Sequence, residues 1–468
     1  MPPVFGKEME QRSQMADIRN TGIGLFFDES ANNSNITEFH EYKNIRSIRC
    51  HSSHLKGKMK GFFKVQTPEQ IYAKMGRFKP LRPEKARIEE SLHRVLAEDI
   101  VSTTSLPEFR RSTVDGFALK AKDTYGASEK NPAILRMIGE ILMGQGSKHE
   151  VKDGEAAKVA TGGMVPEGAD AVEMVEYTDW IDSHTIHVSK PLSPLENLIQ
   201  VGEDVKAGEV ALHRSHLIRP QDIGLMAGIG CTEVQVFLRP SVAIISSGDE
   251  IVPIEAVPKP GEVRDINRYT IVSMVKEAGG TPIFLGIARD RFGDLKEKIE
   301  TGFKETDMVI ITGGSSVGTL DLTVEVLQSI PGTEILAHGI SIRPGKPTLL
   351  ADIKGKPVLG LPGHPVSAMV IFHFFGKPIL KMLSGISREW VWHQMKVKAK
   401  AARNIPSVPG REDYVRVRLE EKNGTFWAHP IFGKSGTISH LVNANGLIKI
   451  GMDEEGLEEG EEAEVILL

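Results

Sequence analysis

The chain has 468 residues, of which 40% are hydrophobic and 25% are charged, and its formal net charge is −5. This length is too great for one hydrophobic core and predicts about three or four domains of a water-soluble globular protein. The slightly acidic balance supplies no overall positive field, which argues against nucleic acid or an anionic membrane as a partner.

Cysteine usage and hydropathy indicate a cytoplasmic protein. The two cysteines, Cys50 and Cys231, are too few for a disulfide framework or a cysteine-based zinc site. The longest apolar run, AMVIFHFF, ends after eight residues and contains His373, whereas a membrane span needs roughly 20 residues. The first residues also lack the pattern of a signal peptide. We therefore expect a reducing compartment and no membrane contact.

The N-terminal segment 1–58 differs from the rest of the chain. It has no sustained period of 2 or 3.6 residues and is rich in Asn, Ser and His, which predicts a poorly ordered extension. A flexible arm and an upstream stretch foreign to the native protein both fit this composition. Apolar patterning begins at Met59, and Thr67-Pro68 is typical of a helix start. Residues 66–104 predict a helix, a strand and a second helix over SLHRVLAEDIVS.

Three regions with different patterns follow. Residues 105–204 combine short strands with dense turn signals such as GGMVPEGAD, which predicts a β-rich inserted domain. In residues 238–385 buried strands alternate with helices, which predicts a parallel α/β sheet covered on both faces. In residues 393–468 strand-like runs such as YVRVRLEE alternate with Gly-rich turns, which predicts a small barrel or sandwich. The predicted fold class is therefore α/β plus β-rich domains.

Ligands of an open α/β sheet lie beyond the carboxyl ends of its strands, and two of these ends carry small residues. SSGDE places Ser247 and Gly248 after the first strand, and TGGSSVG places Gly313, Gly314 and Ser315 after a later one. Glycines let backbone N–H groups approach a phosphate closely, and a helix N-terminus adds a positive dipole end. A tight strand-to-helix turn without a ligand is the alternative.

Three acidic residues are predicted at the same edge of the sheet. Glu250 follows the first strand, Asp290 follows the next strand, and Asp321 opens the helix after TGGSSVG. Carboxylates beside a phosphate are typical ligands of Mg²⁺, a hard cation that bridges phosphate oxygens. We therefore expect the three side chains to converge and to hold Mg²⁺, although solvated loop carboxylates are the alternative.

Two proline-glycine turns predict an anion site. RPGKP holds Arg343 and Lys346 on a rigid turn, where little side-chain entropy is lost on meeting an oxyanion. In LPGHPVSA, which begins just before Pro362, Pro365 suits the first turn of a helix whose free N–H groups and Ser367 hydroxyl face outward. Purely structural proline turns are the alternative.

In this order along the chain, the motifs resemble those of the molybdopterin molybdenumtransferases, the MoeA and gephyrin E-domain family. The matching pieces span about residues 65 to 450 and comprise STVDGFA, TGGMVPEGADAVE, GEDVKAG, SSGDEIV, RDINRY, TGGSSVGTLD, RPGKP, LPGHPVSA, GREDYVRV and SGTISHLVNANGLI. Two positions depart from the family pattern. Arg343 stands where many members have Lys, and His364 replaces the usual Asn.

The resemblance implies an elongated homodimer and a division of the chain into domains. Residues 1–58 have no counterpart in the family. The implied regions are a dimerisation and linker region formed by 59–104 and 205–237, a β-rich inserted domain at 105–204, a MogA-like molybdopterin-binding α/β domain at 238–385, and a C-terminal β-barrel domain at 393–468.

The resemblance also implies residue roles. The implied catalytic residues are acidic or carry a hydroxyl: Glu250, Asp290 and Asp321 in the α/β domain, and Asp115, Thr161 and Asp204 from the β-rich part of the other subunit. Taken alone, the last three are typical turn residues. The positions linked to holding molybdate are Lys346, Ser367, Arg411 and Ser435.

The implied reaction inserts molybdate into adenylylated molybdopterin with Mg²⁺ present, releases AMP and forms molybdenum cofactor. The implied partners are a molybdopterin adenylyltransferase and molybdoenzyme apoproteins. Three alternatives stay open. The chain could adenylylate molybdopterin from ATP, because the α/β domain is shared with that activity; it could insert tungstate; or it could be an interaction scaffold that keeps the fold without the chemistry.

Overall fold

The structure is a computed structural model that describes residues 65–313 and 317–468, with only the backbone described at 317–320. The prediction for residues 1–58 and the positions of Gly314 and Ser315 lie outside the described residues. Residues Phe62–Leu468 belong to one compact unit.

The first described helix begins where the sequence predicts it. Thr67 caps it, because its hydroxyl accepts the Gln70 N–H at 3.4 Å while the Gln70 side chain accepts the Thr67 N–H at 3.1 Å. This reciprocal pair satisfies two otherwise unpaired donors at the helix start. The elements of this part are α1 (Pro68–Met75), β1 (Pro83–Arg87) and β2 (Ile100–Val101).

The second helix predicted over SLHRVLAEDIVS is wrong. A single 3-10 turn at Ile88–Glu90 precedes this stretch, and His93 has a φ of +60°, which a right-handed helix excludes. Val95 and Leu96 instead form β-bridges to Leu217 and Val236. Long-range pairing therefore overrides the helical pattern, since helix propensity is a weak preference of less than about 1 kcal/mol per residue.

A β-rich region follows, as predicted. Its six-stranded sheet has the order β7-β4-β6-β5-β9-β8, and apolar clusters pack against both faces. Its strands are β3 (Arg111–Ser112), β4 (Gly116–Leu119), β5 (Ala133–Ile141), β6 (Glu155–Val159), β7 (Ala171–Met174), β8 (Thr178–Asp182), β9 (Thr185–Val188) and β10 (Leu198–Ile199).

A carboxyl group is buried in this sheet. Glu173 lies on β7 opposite Phe117 and is fully buried. Its Oε1 accepts the Met174 N–H at 3.0 Å, while Oε2 has no hydrogen-bond partner among the described residues. Burial raises the pKa of Glu173 to about 7, helped by the charge of Glu196 and opposed by the Met174 N–H and by Lys190.

We expect Glu173→Gln to stabilise the protein at pH 8 by about 3 kcal/mol more than it does at pH 4.5. The folded-state pKa lies above the ordinary value of 4.5, so the folded wild-type protein keeps a proton that the unfolded chain releases. Wild-type stability therefore falls as the pH rises from about 4.5 to about 7. Chemical denaturation across this range measures the difference. The exposed Glu176→Gln is the control, and equal pH dependence in wild type and Glu173→Gln would contradict the assignment.

After the β-rich region, the chain pairs with the two strands that precede that region. Strand β11 pairs antiparallel with β2, and β12 pairs antiparallel with β1 over five residue pairs. These pairings bring residues before and after the β-rich region together, as expected for an insertion. The elements are β11 (Val210–Leu212), α2 (Pro220–Gly228) and β12 (Glu233–Phe237).

The predicted α/β region is present, with one change in strand direction. Its sheet has the order β16-β13-β17-β21-β20-β18, in which the first four strands are parallel and β20 is antiparallel to both neighbours. The sheet is parallel over its first four strands, as predicted, and β20 runs antiparallel because the two-residue turn after Ile353 makes β20 and β21 a hairpin. The strands are β13 (Ser241–Ser247), β14 (Ile251–Val252), β15 (Val263–Arg264), β16 (Thr281–Ala288), β17 (Met308–Gly313), β18 (Thr333–His338), β19 (Ile342–Arg343), β20 (Leu349–Ile353) and β21 (Lys356–Leu361).

Helices cover both faces of this sheet. Along β13, Val242 and Ile244 join one apolar cluster, while Ala243 and Ile245 join another. This alternation explains why the strand is apolar throughout, since each face meets a helix layer. The helices are α3 (Ile266–Glu277), α4 (Phe292–Glu305), α5 (Val317–Gln328), α6 (Pro365–Ile371) and α7 (Lys377–Leu383), the last two joined by a π turn at Phe372–Gly376.

The joined helix Pro365–Leu383 has the length and apolar composition of a membrane span, and 78% of its most apolar window is buried inside the protein. It is longer than the eight-residue apolar run suggests, because helical residues on both sides of that run extend it. Phe372 and Phe375 are among the largest fully buried side chains. The helix therefore occupies the position of a core helix.

The C-terminal region is a barrel and not a sandwich. Strands β24, β25, β22, β28 and β26 pair in that order, and β26 pairs again with β24, so the ring closes. Strand β19 of the α/β region pairs in parallel with β24 and joins the two regions. The elements are α8 (Arg388–Val391), β22 (Lys396–Ala401), β23 (Ile405–Pro406), β24 (Glu412–Lys422), β25 (Thr425–Pro430), α9 (Ser439–Val442), β26 (Gly446–Ile450), β27 (Gly456–Leu457) and β28 (Glu462–Leu467).

Candidate active site

A cleft of about 940 Å³ lies between the α/β region and the barrel. It contains six residues that the sequence analysis proposed as ligand-binding: Arg343, Lys346, Pro362, Ser367, Arg411 and Ser435. Pro365, which was also proposed, is buried and does not line it. A second cavity of about 980 Å³ contains none of the proposed site residues. The structure therefore brings the two proline-glycine turns together around one open volume.

The described residues that line the cleft are strongly cationic. Its only carboxylate among them is Asp413, so the formal charge of the lining is four positive with histidine neutral. Such a concentration of like charge is unfavourable without a counter-ion and favours an anionic ligand. The cationic side chains are Arg343, Lys346, Arg411, Arg416 and Lys434.

Asp413 aligns two of these cations. Its side chain is 3% exposed and contacts Arg343 at 3.2 Å and Arg411 at 2.9 Å. The parallel pairing of β19 with β24 places Arg343 directly beside Asp413. The buried carboxylate thus holds two guanidinium groups from different regions in fixed positions, which lowers the entropy cost of binding an oxyanion between them.

Lys346 is a cation without a counter-charge. Its ammonium group forms no ion pair or hydrogen bond within residues 65–313 and 317–468. The turn that carries it is pressed against α6, because Gly345 has a φ of +125° and an added Cβ would lie 2.4 Å from Ile371 Cδ1. Only glycine fits this position. The RPGKP motif is therefore a tight turn that directs Lys346 toward the cleft.

The second turn opens α6 as predicted, with His364 at the N-cap and Pro365 in the first turn. The expectation that its N–H groups are free for an anion is wrong for Val366, whose N–H donates to the Ser435 carbonyl at 3.2 Å. Ser367 is buried at the cleft wall, and its hydroxyl forms no hydrogen bond to another described residue. This hydroxyl is therefore available to a ligand.

Sequence reasoning missed Arg416 and Lys434. Arg416 is 9% exposed and donates through Nη2 to the Gly433 carbonyl at 2.9 Å, and it pairs with no carboxylate in the described part of the chain. Burial lowers its pKa, and the nearby charge of Arg343 lowers it further. The sequence held one signal for Arg416, the spacing in DYVRV. Residues two apart on a strand share a face, so Arg416 lies on the same face as the buried Tyr414.

The carboxyl edge of the α/β sheet brings together a second group of predicted residues. The Ser247 hydroxyl donates to Asp290 Oδ1 at 3.0 Å, and the Asp290 N–H donates to Asp249 at 3.4 Å. Gly313 has a φ of +119°, and a Cβ there would lie 1.9 Å from the Ser247 carbonyl oxygen. At Gly248 an added Cβ would lie 2.6 Å from a carboxylate oxygen of Glu250. Gly313 is therefore required for the close approach of the two strands, whereas at Gly248 the Glu250 side chain could move and the φ of +151° is what disfavours a side chain.

The Mg²⁺ site of Glu250, Asp290 and Asp321 stays a prediction of the sequence pattern and the resemblance. No group of three or more His, Cys, Asp or Glu side chains among the described residues is arranged to hold a metal ion. Asp321 lies in the second turn of α5, which begins at Val317, so it does not open the helix as predicted. Burial lowers the pKa of His338 on β18, and the negative charge of Asp321 partly opposes this decrease. Asp321 therefore lies close enough to His338 to influence its charge, and Asp290 follows β16.

The β-rich region brings together two of its three predicted site residues. The backbone N–H and the hydroxyl of Thr161 donate to Asp115 Oδ1 at 2.7 and 3.0 Å and lower the pKa of Asp115. The Asp204 side chain forms no hydrogen bond to a described residue, and its own N–H donates to the Leu106 carbonyl. None of these three residues lines the cationic cleft.

Three family models match consecutive parts of the chain. Residues 65–230 match the MoeA N-terminal region (domain I and II), residues 243–382 match a probable molybdopterin binding domain, and residues 398–468 match the MoeA C-terminal region (domain IV).

Individual relatives match over nearly the same span. A putative molybdopterin biosynthesis protein of Methanocaldococcus jannaschii is 35% identical over 390 residues, which is 81% of this chain and 91% of the relative. A molybdopterin molybdenumtransferase of Bacillus subtilis is 31% identical over 389 residues, 81% of this chain and 89% of the relative. The crystal structure of a molybdopterin biosynthesis moeA protein from Pyrococcus horikoshii OT3 has a TM-score of 0.74 at 33% identity and covers 86% of this chain and 100% of that one. Sequence and fold agree over most of the chain, which therefore belongs to the MoeA family.

Proposed function

We propose that the protein is a molybdopterin molybdenumtransferase, which inserts molybdate into adenylylated molybdopterin and releases AMP. The observation that carries the proposal is the cleft with a formal charge of four positive, in which Lys346 lacks a counter-charge among the described residues. A tetrahedral dianion such as molybdate matches this charge and the donors around it. Relatives named for this activity share most of the chain.

The cleft residues would act by positioning the oxyanion. Arg343 and Arg411, aligned by Asp413, offer planar groups of N–H donors, while Lys346 supplies a mobile positive charge. The Ser367 hydroxyl adds a neutral donor at the wall. Holding molybdate near the dithiolene sulfurs of the pterin converts an encounter in solution into a reaction between neighbouring groups, which is a large contribution to rate. This step requires no protein nucleophile.

Magnesium remains a prediction of the family resemblance. In the part of the chain that the structure describes, no group of three or more His, Cys, Asp or Glu side chains is arranged to hold a metal ion. Glu250, Asp290 and Asp321 would hold Mg²⁺ together with oxygens of the bound adenylate, where the cation would polarise the phosphate.

The proposal includes a second copy of the chain. Asp115 and Thr161 form a preorganised carboxylate-hydroxyl pair that does not line the cleft of its own chain. In a homodimer this pair would complete the partner's site, which agrees with the roles that the resemblance implies. We further propose a cytoplasmic location, with a molybdopterin adenylyltransferase supplying the substrate and molybdoenzyme apoproteins receiving the product.

The deciding experiment supplies purified protein with adenylylated molybdopterin and either molybdate or tungstate, and follows AMP release. We expect AMP release that requires the oxyanion, and the ratio of the two rates identifies the metal. Formation of adenylylated product from ATP and molybdopterin, without a partner enzyme, would instead identify the protein as an adenylyltransferase. No turnover in either assay would favour the scaffold alternative.

A further inference from the structure

Besides the Arg343–Asp413 ion pair, a second side-chain contact joins the α/β region to the barrel at the cleft. The His364 Nδ1 lies 2.9 Å from the Ser435 hydroxyl oxygen. His364 belongs to the turn before α6, whereas Ser435 belongs to the barrel loop that follows β25. The Ser435 carbonyl also accepts the Val366 N–H. The loop therefore contacts the α6 turn through both its backbone and its side chain.

Both sides of this contact are held in place. Buried Asn267 donates through Nδ2 to the Gly363 carbonyl at 2.9 Å and fixes the turn that carries His364. On the barrel side, Arg416 donates to the Gly433 carbonyl, two residues before Ser435. His364 itself is exposed, and its Nε2 forms no hydrogen bond to any residue the structure describes. The imidazole is thus presented to the cleft in a set orientation with one nitrogen available.

The charges around the imidazole make its protonation depend on the ligand. The charged side chains that line the cleft with it are Arg343 and Lys346 from the first turn, Arg411, Asp413 and Arg416 from β24 and the residues before it, and Lys434 from the barrel loop. In the ligand-free cleft a proton on His364 would add a further positive charge to this group. A dianion in the cleft reverses the sign of that interaction, because an opposite charge a few ångströms away favours the charged form.

Protonation also determines what the Ser435 hydroxyl can do. When Nδ1 is unprotonated, it accepts the Ser435 O–H, and that hydrogen is withheld from a ligand. When Nδ1 carries a proton, it donates to the Ser435 oxygen, and the hydroxyl hydrogen is free to turn toward the cleft. In the neutral ring that accepts the Ser435 O–H at Nδ1, the other nitrogen, Nε2, already carries a hydrogen and is a donor. Protonation of His364 therefore adds one hydrogen-bond donor for an oxyanion, the Ser435 O–H, together with a positive charge.

We propose that His364 is an oxyanion-binding residue whose protonation is coupled to molybdate binding, so that the cleft takes up a proton with its anion. The inference rests on the proposed function and assigns a role to the position where this chain departs from the Asn of its family. The affinity for molybdate should then decrease by up to about tenfold per pH unit as the imidazole loses its proton.

The test is isothermal titration calorimetry of sodium molybdate into the full-length protein at about pH 7, in two phosphate-free buffers with different ionisation enthalpies. We expect proton uptake by the wild-type protein. His364→Asn should bind molybdate without proton uptake and with an affinity that is constant from about pH 6 to 8, because an amide can donate a hydrogen bond but does not titrate. Ser435→Ala should bind more weakly and keep the proton uptake.

His213→Asn is the matched control, since His213 has a side chain that is 79% exposed and does not line the cleft. It should behave as the wild type. Equal proton uptake and an equal pH slope in wild type and His364→Asn would overturn the role of His364 while leaving the proposed function in place. Failure of the wild type to bind molybdate at any pH would overturn both.

Discussion

Replacing Lys346 with alanine is expected to raise the molybdate concentration needed for half-maximal AMP release by roughly 10- to 100-fold. A hydrogen bond to a charged group contributes about 1.5 to 3 kcal/mol, and 1.4 kcal/mol corresponds to a factor of ten. Lys346 has no counter-charge among the described residues, so its removal leaves no buried carboxylate unpaired and should not affect folding. The measurement is the rate of AMP release as a function of molybdate concentration.

The matched control is Lys304→Ala, which removes an exposed lysine from the last turn of α4 and is expected to change neither the rate nor the molybdate dependence. Lys346→Arg separates charge from shape, because it keeps the charge but changes the donor geometry. We expect its effect to lie between those of wild type and alanine. An unchanged molybdate dependence in Lys346→Ala would show that the cationic cleft is not the oxyanion site.

Replacing Gly313 with alanine is expected to destabilise the protein by about 3 kcal/mol or more. Two independent constraints act at this residue. Its φ of +119° is strained for any residue with a Cβ, and the added carbon would lie 1.9 Å from the Ser247 carbonyl oxygen. Relieving the overlap requires β13 and β17 to separate at the edge that carries Ser247 and Asp290. Chemical denaturation measures the loss, and AMP release should decrease with it.

Gly293→Ala is the control for this substitution. Gly293 lies in the first turn of α4, where an added Cβ has no neighbour within 4 Å and φ is ordinary. Alanine is favoured over glycine in a helix by about 1 kcal/mol, so this variant should be as stable as the wild type or more so. Equal stability of Gly313→Ala and wild type would mean that the two strands do not approach each other as closely as the structure shows.

Local patterns predicted the elements of the α/β region well. The apolar strands β13, β16 and β17 and the helices between them appear where period and capping residues place them, because each pattern reports on which faces of one element are buried. The turn RPGKP was also readable, since proline and glycine restrict the backbone locally. Two local predictions failed, and in each a distant segment decided the outcome. Val95, Leu96 and the strand Ile100–Val101 pair with distant parts of the chain, and the N–H of Val366 donates to the Ser435 carbonyl.

In the candidate site, too, some residues were predictable from local sequence and others were brought in by distant segments. Arg343 and Lys346 were recognisable from their rigid turn. Asp413, which aligns Arg343, and Lys434, which adds charge, are far from that turn in sequence and had no local signal of their own. The only local signal for Arg416 was its strand spacing from Tyr414, which does not show which turn it faces. The predicted convergence of Glu250, Asp290 and Asp321 stays a prediction, because it depends on how the ends of separate strands are placed in space.

By itself, the sequence determined the first three buried strands of the α/β region and the helices that follow them, the tight turns and the chemical character of the residues at strand ends. These properties depend on backbone sterics and on burial within about ten residues. Only the tertiary structure decided which of these residues share a site, because the cleft exists where β19 pairs with β24 and brings the barrel against the α/β region. A cluster of positive charge is a property of that arrangement, since the interaction between charges depends on their distance in space and not on their separation along the chain.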